Sequence, residues 1–250
     1  MQEIPSYTRA CRLGRQGRAV EALAEPRAGL DEGAWYNPEG LGTEPDLAVV
    51  RPRLEIIRRE CEDRRRRCRA ESRPQCLVLS PSSALWDQQT LLLLHGRGDS
   101  ARRLTEHWRP LVDEGWTLVV PQSSQPWDSV SWCWDDWDLA RQEVRTHLEV
   151  CRMKRGLDPA RIVVVGASES ARLAVETAHE AGMPWLCVTP KFQAGYSPPL
   201  RTRGVLLLTE NDPPEAWARS VPGVEVRVVP GIERDFAAQA SAALRLLELG

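Results

Sequence analysis

One stretch constrains this chain more than any other: Arg161-Ile162-Val163-Val164-Val165-Gly166-Ala167-Ser168-Glu169-Ser170-Ala171. A β-branched run leads into a small-residue corner, and helix-forming residues follow from Ala171 to Ala181. That order reads as strand, sharp turn, helix. In turns of the form Gly-x-Ser-x-Gly the serine is strained and exposed at the C-terminal end of its strand. Here Gly166 and Ser168 keep their places, and Ser170 replaces the second glycine. A strand–glycine–helix turn occurs in many α/β proteins, so its meaning depends on what surrounds it.

The surroundings alternate strands with helices. Leu77–Leu79, Thr90–Leu94, Trp116–Val120, Trp185–Val188, Gly204–Leu208 and Val224–Val229 have strand patterns. Helical segments are expected over Ala101–Glu114, Leu139–Arg155 and after Phe236. This alternation predicts an α/β class fold, a mostly parallel sheet with helices on both faces, for residues 74–250. After the second strand, His95-Gly96-Arg97-Gly98-Asp99-Ser100 has two readings. It can present backbone N–H groups to a ligand, or it can be an ordinary turn whose Asp99 or Ser100 caps a helix. His95 reads as a loop-bracing residue. Trp127, Trp132, Trp134 and Trp137 lie in a segment read as irregular. They line an apolar pocket or pin a loop to the core, and the sequence weighs both equally. Asp212, just past a buried strand, is either a catalytic-edge acid or a turn residue.

Residues 1–73 read as a helical extension, with helices over Tyr7–Gly29 and Pro45–Ser72 separated by a turn-rich stretch. Ala19-Val20-Glu21-Ala22-Leu23, Glu32-Gly33-Ala34-Trp35 and Asp46-Leu47-Ala48 resemble the closing repeat of a tetratricopeptide array. About one repeat is present where roughly three make a free-standing solenoid, so a short cap is expected. Arg64-Arg65-Arg66-Arg67 can face an anionic partner, but interleaved acids favour a solvated charged face.

Composition narrows the classes. A net charge of -2 gives no reason to expect nucleic acid as a partner. Met1–Ser6 lacks the basic start and apolar core of a secretory signal, and the run around Leu91–Leu94 is too short to span a bilayer. Seven scattered cysteines without a Cys-x-x-Cys pair point to reduced thiols in a cytoplasmic protein rather than to disulfides or a metal site.

Leu94-His95-Gly96-Arg97-Gly98, Val120-Pro121-Gln122, Trp134-Asp135-Asp136, Asp158-Pro159-Ala160-Arg161-Ile162, the Ser168 corner and Asp212 follow one another in a familiar order. Together, over about Leu91 to Leu247, they resemble the phospholipase/carboxylesterase branch of the α/β-hydrolase superfamily. The resemblance implies a nucleophile at Ser168 and an acid at Asp212. It implies an oxyanion hole from backbone N–H groups around Gly96, Arg97 and Glu169, and a pocket with Trp132 and Trp134. No metal or cofactor is implied. The ligand would be a small acyl ester or another small molecule, with a protein partner for the N-terminal helices.

The family's closing motif resembles Pro-Gly-x-x-His-Asp-Phe, and this chain has Pro230-Gly231-Ile232-Glu233-Arg234-Asp235-Phe236. Arg234 therefore stands at the position of the general base. A guanidinium is always protonated and has no acceptor. Without a base the serine stays a weak nucleophile. His107 and His147 are remote in sequence, and His179 lies ~16 Å along the helix that follows Ser168. Glu233 or Asp235 as base is the remaining alternative. Glu169 opposes a neighbouring oxyanion if its carboxylate turns inward. Weak or lost esterase activity is expected, and a non-catalytic, ligand-binding relative is the alternative.

Overall fold

A computed structural model describes residues 4–82, 89–192, 196, 202–209, 222–229 and 236–245. The chain divides into two compact units, residues 1–73 with 124–133, and residues 74–123 with 134–250.

In the first unit, α1 (Pro5–Arg15) packs against α2 (Ala19–Asp31), followed by the short α3 (Pro38–Thr43) and the long α4 (Glu55–Glu71). Two of the expected helices are subdivided. The segment Tyr7–Gly29 breaks at Gly17, whose φ of 74° no helix accommodates. Pro45–Ser72 begins as two 3-10 turns, Pro45–Leu47 and Arg51–Arg53, because Pro45 and Pro52 each remove an amide donor. Along α4 the arginines are matched by acids one turn away: Arg58 and Arg59 on Glu55, Arg64 on Glu60, Arg66 on Asp63. Leu30, Tyr36, Leu41, Leu47, Leu54 and Cys61 form the core of this unit.

The hairpin Ser124–Cys133 belongs to this unit, although the sequence boundary at residue 73 leaves it with the other. It is read from sequence as irregular, but it pairs β4 (Gln125–Asp128) with β5 (Ser131–Cys133) across a bulge. It is tied to the helical part of the unit. Ser129 donates its N–H to the Trp35 carbonyl at 3.1 Å, and Arg65 lies 5.8 Å over the Trp127 ring.

The second unit is built on a sheet of order β1-β3-β2-β6-β7-β8-β9. Its strands are β1 (Gln75–Leu79), β2 (Thr90–Leu94), β3 (Thr117–Gln122), β6 (Ile162–Ala167), β7 (Trp185–Val188), β8 (Gly204–Leu208) and β9 (Val224–Val228). The edge strand β1 runs antiparallel to β3, and every other neighbouring pair is parallel. Period-two side-chain alternation splits the core between the two faces. Leu92, Leu94 and Val164 pack with α7 (Trp137–Arg155) and α8 (Ser170–Ala181). Leu91, Leu93, Val163 and Val165 pack with α5 (Ala101–Trp108), α6 (Pro110–Asp113) and α9 (Phe236–Arg245). Pro110 divides α5 from α6, where one helix is expected from sequence.

Trp185 and Gly204 face each other across β7 and β8, and a Cβ at Gly204 would overlap the buried indole. Gly204→Ala is expected to destabilise the protein by about 1–3 kcal/mol, as overpacked cores do. Trp185→Phe in the same chain should recover part of that loss in urea unfolding. A Gly204→Ala protein as stable as the parent would show that the two strands can shift to make room.

Candidate active site

Leu94, Gly166 and Cys187 sit side by side at the C-terminal ends of β2, β6 and β7, so the loops leaving these strands share one edge of the sheet. Ligand sites in parallel sheets form at that edge. Ser168 follows β6 with φ of 52°, in the left-handed region that a residue with a β-carbon enters at a cost.

Several contacts hold that corner. Ser168 donates its N–H to Val188 O at 3.1 Å, and its carbonyl accepts from Ala171 N–H at 3.2 Å and Lys191 N–H at 3.0 Å. A Cβ on Gly166 would lie 2.6 Å from Ser170 O and 2.7 Å from the Ala174 Cβ, so β6 and α8 come this close only because Gly166 has none. The Ser170 hydroxyl donates to Leu94 O at 2.9 Å and accepts from Ala167 N–H at 3.0 Å. Where a second glycine would merely leave room, serine ties the corner to β2. The loop after β2 also arrives here, since a Cβ on Gly96 would lie 3.9 Å from that of Ser168.

His95 is fully buried and both its ring nitrogens are engaged. Nδ1 donates to Gly96 O at 3.0 Å, while Nε2 accepts from Ser123 N–H at 3.3 Å and faces the Gln122 amide at 3.2 Å. Its ring stacks on Trp134, whose indole N–H donates to His95 O at 2.8 Å. Burial lowers the His95 pKa to about 4, against smaller opposing effects of the Gly96 carbonyl and Asp99. The ring braces the loop as a neutral imidazole.

The group that meets the Ser168 hydroxyl is its own neighbour. Ser168 Oγ donates to Glu169 Oε2 at 2.6 Å. Burial is the strongest influence on this carboxyl and raises its pKa. The Ser168 hydroxyl, the Glu169 backbone N–H, and the Lys191 and Arg97 charges outweigh it and hold the pKa below the usual carboxylate range. One carboxylate thus accepts from both the serine hydroxyl and the N–H expected to serve an oxyanion. An ionised carboxylate of lowered pKa is a poor base for a serine hydroxyl, and its charge opposes a second negative oxygen nearby.

Around it lies a cleft of about 160 Å³ lined by Arg97, Trp134, Asp135, Trp137, Glu169, Arg172 and Lys191. Arg97 donates to Asp135 Oδ1 at 2.7 Å, and Arg172 lies 4.6 Å over the Trp137 ring. Of the two tryptophans expected to line a pocket, Trp134 does so, while Trp132 sits on β5 of the first unit and is not in this lining. Asp135 belongs to a stretch that carries the family resemblance, whereas Arg172 and Lys191 gave no sequence signal. Asp212 and Arg234 lie outside the described residues, as do Glu233 and Asp235.

No family model matches the sequence, and no curated protein does. Solved structures do. An uncharacterized protein from Bacillus cereus ATCC 10987 is 18% identical with a TM-score of 0.56, covering 99% of this chain and 89% of its own. Esterase PE8 is 17% identical with a TM-score of 0.55, covering 70% of this chain and 99% of its own. YahD, solved with malic acid, is 11% identical with a TM-score of 0.54, covering 70% and 100%. The fold is that of the α/β-hydrolases. The Bacillus cereus likeness takes in nearly the whole chain, whereas those to PE8 and YahD stop at about two thirds.

The buried imidazole has a measurable consequence. His95 binds its proton at about 4 when folded and near 6.5 when unfolded. Its contribution to stability is therefore present above about 6.5 and is lost as pH falls towards 4. In urea titrations the stability gap between wild type and His95→Gln should narrow across that window. Parallel pH curves would mean that His95 takes up a proton without strain.

Proposed function

We propose that this protein is a carboxylesterase/phospholipase-like α/β-hydrolase whose ester hydrolysis is weak or lost, and whose cleft beside Ser168 binds a small molecule. In this reading residues 74–250 are the hydrolase-like domain and residues 1–73 a helical extension of it. Ser168 occupies the nucleophile position, Asp212 the acid position and Arg234 the position of the base. The observation that carries the reading is the Ser168–Glu169 hydrogen bond of 2.6 Å. It directs the hydroxyl to a carboxylate of lowered pKa and places negative charge where transition-state charge would develop. The sequence adds that Arg234 cannot accept a proton. A small molecule finds charge of both signs and indole surface in the cleft, which suits a polar compound with a flat or apolar part. No described helix is long and apolar enough to cross a membrane. All seven cysteines are free thiols, which fits the reducing conditions of a cytoplasm.

Hydrolysis of a short-chain p-nitrophenyl ester tests this directly. Wild type and Ser168→Ala should be indistinguishable, and neither should react with a fluorophosphonate. Arg234→His should gain turnover, and Arg234→His with Glu169→Gly should gain more. Wild type clearly faster than Ser168→Ala would overturn the proposal and call for an unorthodox base, with Glu169, Glu233 and Asp235 the first to replace.

A further inference from the structure

The first unit contains a larger cavity, independent of the Ser168 cleft. It measures about 440 Å³, within the range of small-molecule sites. Half-buried Tyr7 and Trp127 supply aromatic surface, and Cys11, Glu44, Asp46 and Asp128 supply polar groups. The Tyr7 ring packs 5.8 Å from that of Tyr36, which is itself fixed by a 2.7 Å hydrogen bond to Ser6. That side of the cavity is therefore braced from behind.

The charges are unbalanced. Arg15 lines the cavity, but its guanidinium is committed to both oxygens of Asp46 at 3.2 and 2.6 Å. Glu44 receives only neutral donors, the Tyr7 hydroxyl at 3.2 Å and Asp46 N–H at 3.3 Å. Asp128 likewise accepts from Val130 N–H at 3.0 Å, and from Ser131. Neither Glu44 nor Asp128 forms an ion pair among the described residues. The Cys11 thiol registers the resulting field. Burial first, then the Glu44 and Asp46 carboxylates, raise its pKa to about 11. A neutral thiol, two carboxylates outside any ion pair among the described residues and aromatic faces make a surface that repels anions and attracts cations.

We propose that this cavity is a binding site for a small organic ammonium compound, its charge answered by Glu44 and Asp128 and its apolar body set against Tyr7 and Trp127. An inorganic cation would use the carboxylates but leave the aromatic surface without a role. A neutral apolar compound would leave both carboxylates uncompensated.

The test uses the full chain and benzyltrimethylammonium as probe, with phenylacetate as the anionic counterpart, followed by isothermal titration calorimetry. The ammonium should bind and phenylacetate should not. Glu44→Gln keeps an oxygen for Asp46 N–H but removes the charge. It should weaken binding about tenfold, the factor for a desolvated charge contact near 1.4 kcal/mol. Tyr7→Leu should weaken binding comparably, with circular dichroism confirming that both variants fold. Binding of phenylacetate as tight as that of the ammonium, or ammonium binding indifferent to both substitutions, would overturn the proposal. So would Zn²⁺ binding lost in Cys11→Ser without any ammonium binding, which would assign the same residues to a metal.

Discussion

The second unit is organised around a backbone held in an unfavourable conformation. Ser168 occupies the left-handed region because three backbone hydrogen bonds, the missing side chain of Gly166 and the Ser170 hydroxyl leave it no alternative. Strain of this kind persists only where its surroundings over-determine it. The surroundings here are β2 and β7, fully buried, and β6, buried up to Ala167; alternate residues of these strands fill both faces of the sheet. The hydrophobic core thus supplies the free energy that keeps one serine raised at the sheet edge.

In the function proposed above, what that serine faces is what separates this chain from a working serine hydrolase. A hydrolase needs a proton acceptor near neutrality beside the hydroxyl and empty donors beside the future oxyanion. This chain directs the hydroxyl and the neighbouring N–H to the Glu169 carboxylate, and confines its nearby imidazole to bracing. The scaffold for catalysis and the groups that would execute it are separable. Retaining the first does not require retaining the second.

Much of this was legible in sequence because it rests on local patterns. The run Ile162–Val165 before Gly166-Ala167-Ser168 gives strand and turn directly, and strand–helix alternation gives the parallel sheet. The bracing role of His95 followed from its place beside backbone donors. Other features depend on pairings that no window of sequence contains. The hairpin around Trp127 and Trp132 is stabilised by Trp35 and Arg65, far away in the chain. Arg172 and Lys191 enter the cleft because α8 and the segment after β7 bring them there. The helix breaks come from Gly17, Pro52 and Pro110, single residues inside runs whose apolar periodicity is otherwise helical.

The hairpin also has a consequence for how the chain can be cut and made. The first unit draws on residues 1–73 and again on 124–133, with three strands of the seven-stranded sheet encoded between them. On the ribosome its helices emerge first but lack their last pieces until Cys133 has followed, by which time β1, β2 and β3 are already out. A single cut after Arg73 leaves the first unit without its hairpin. Gene fusions and truncations placed at that apparent boundary would orphan the hairpin, so the first unit can be moved only with the stretch that encodes β1, β2 and β3.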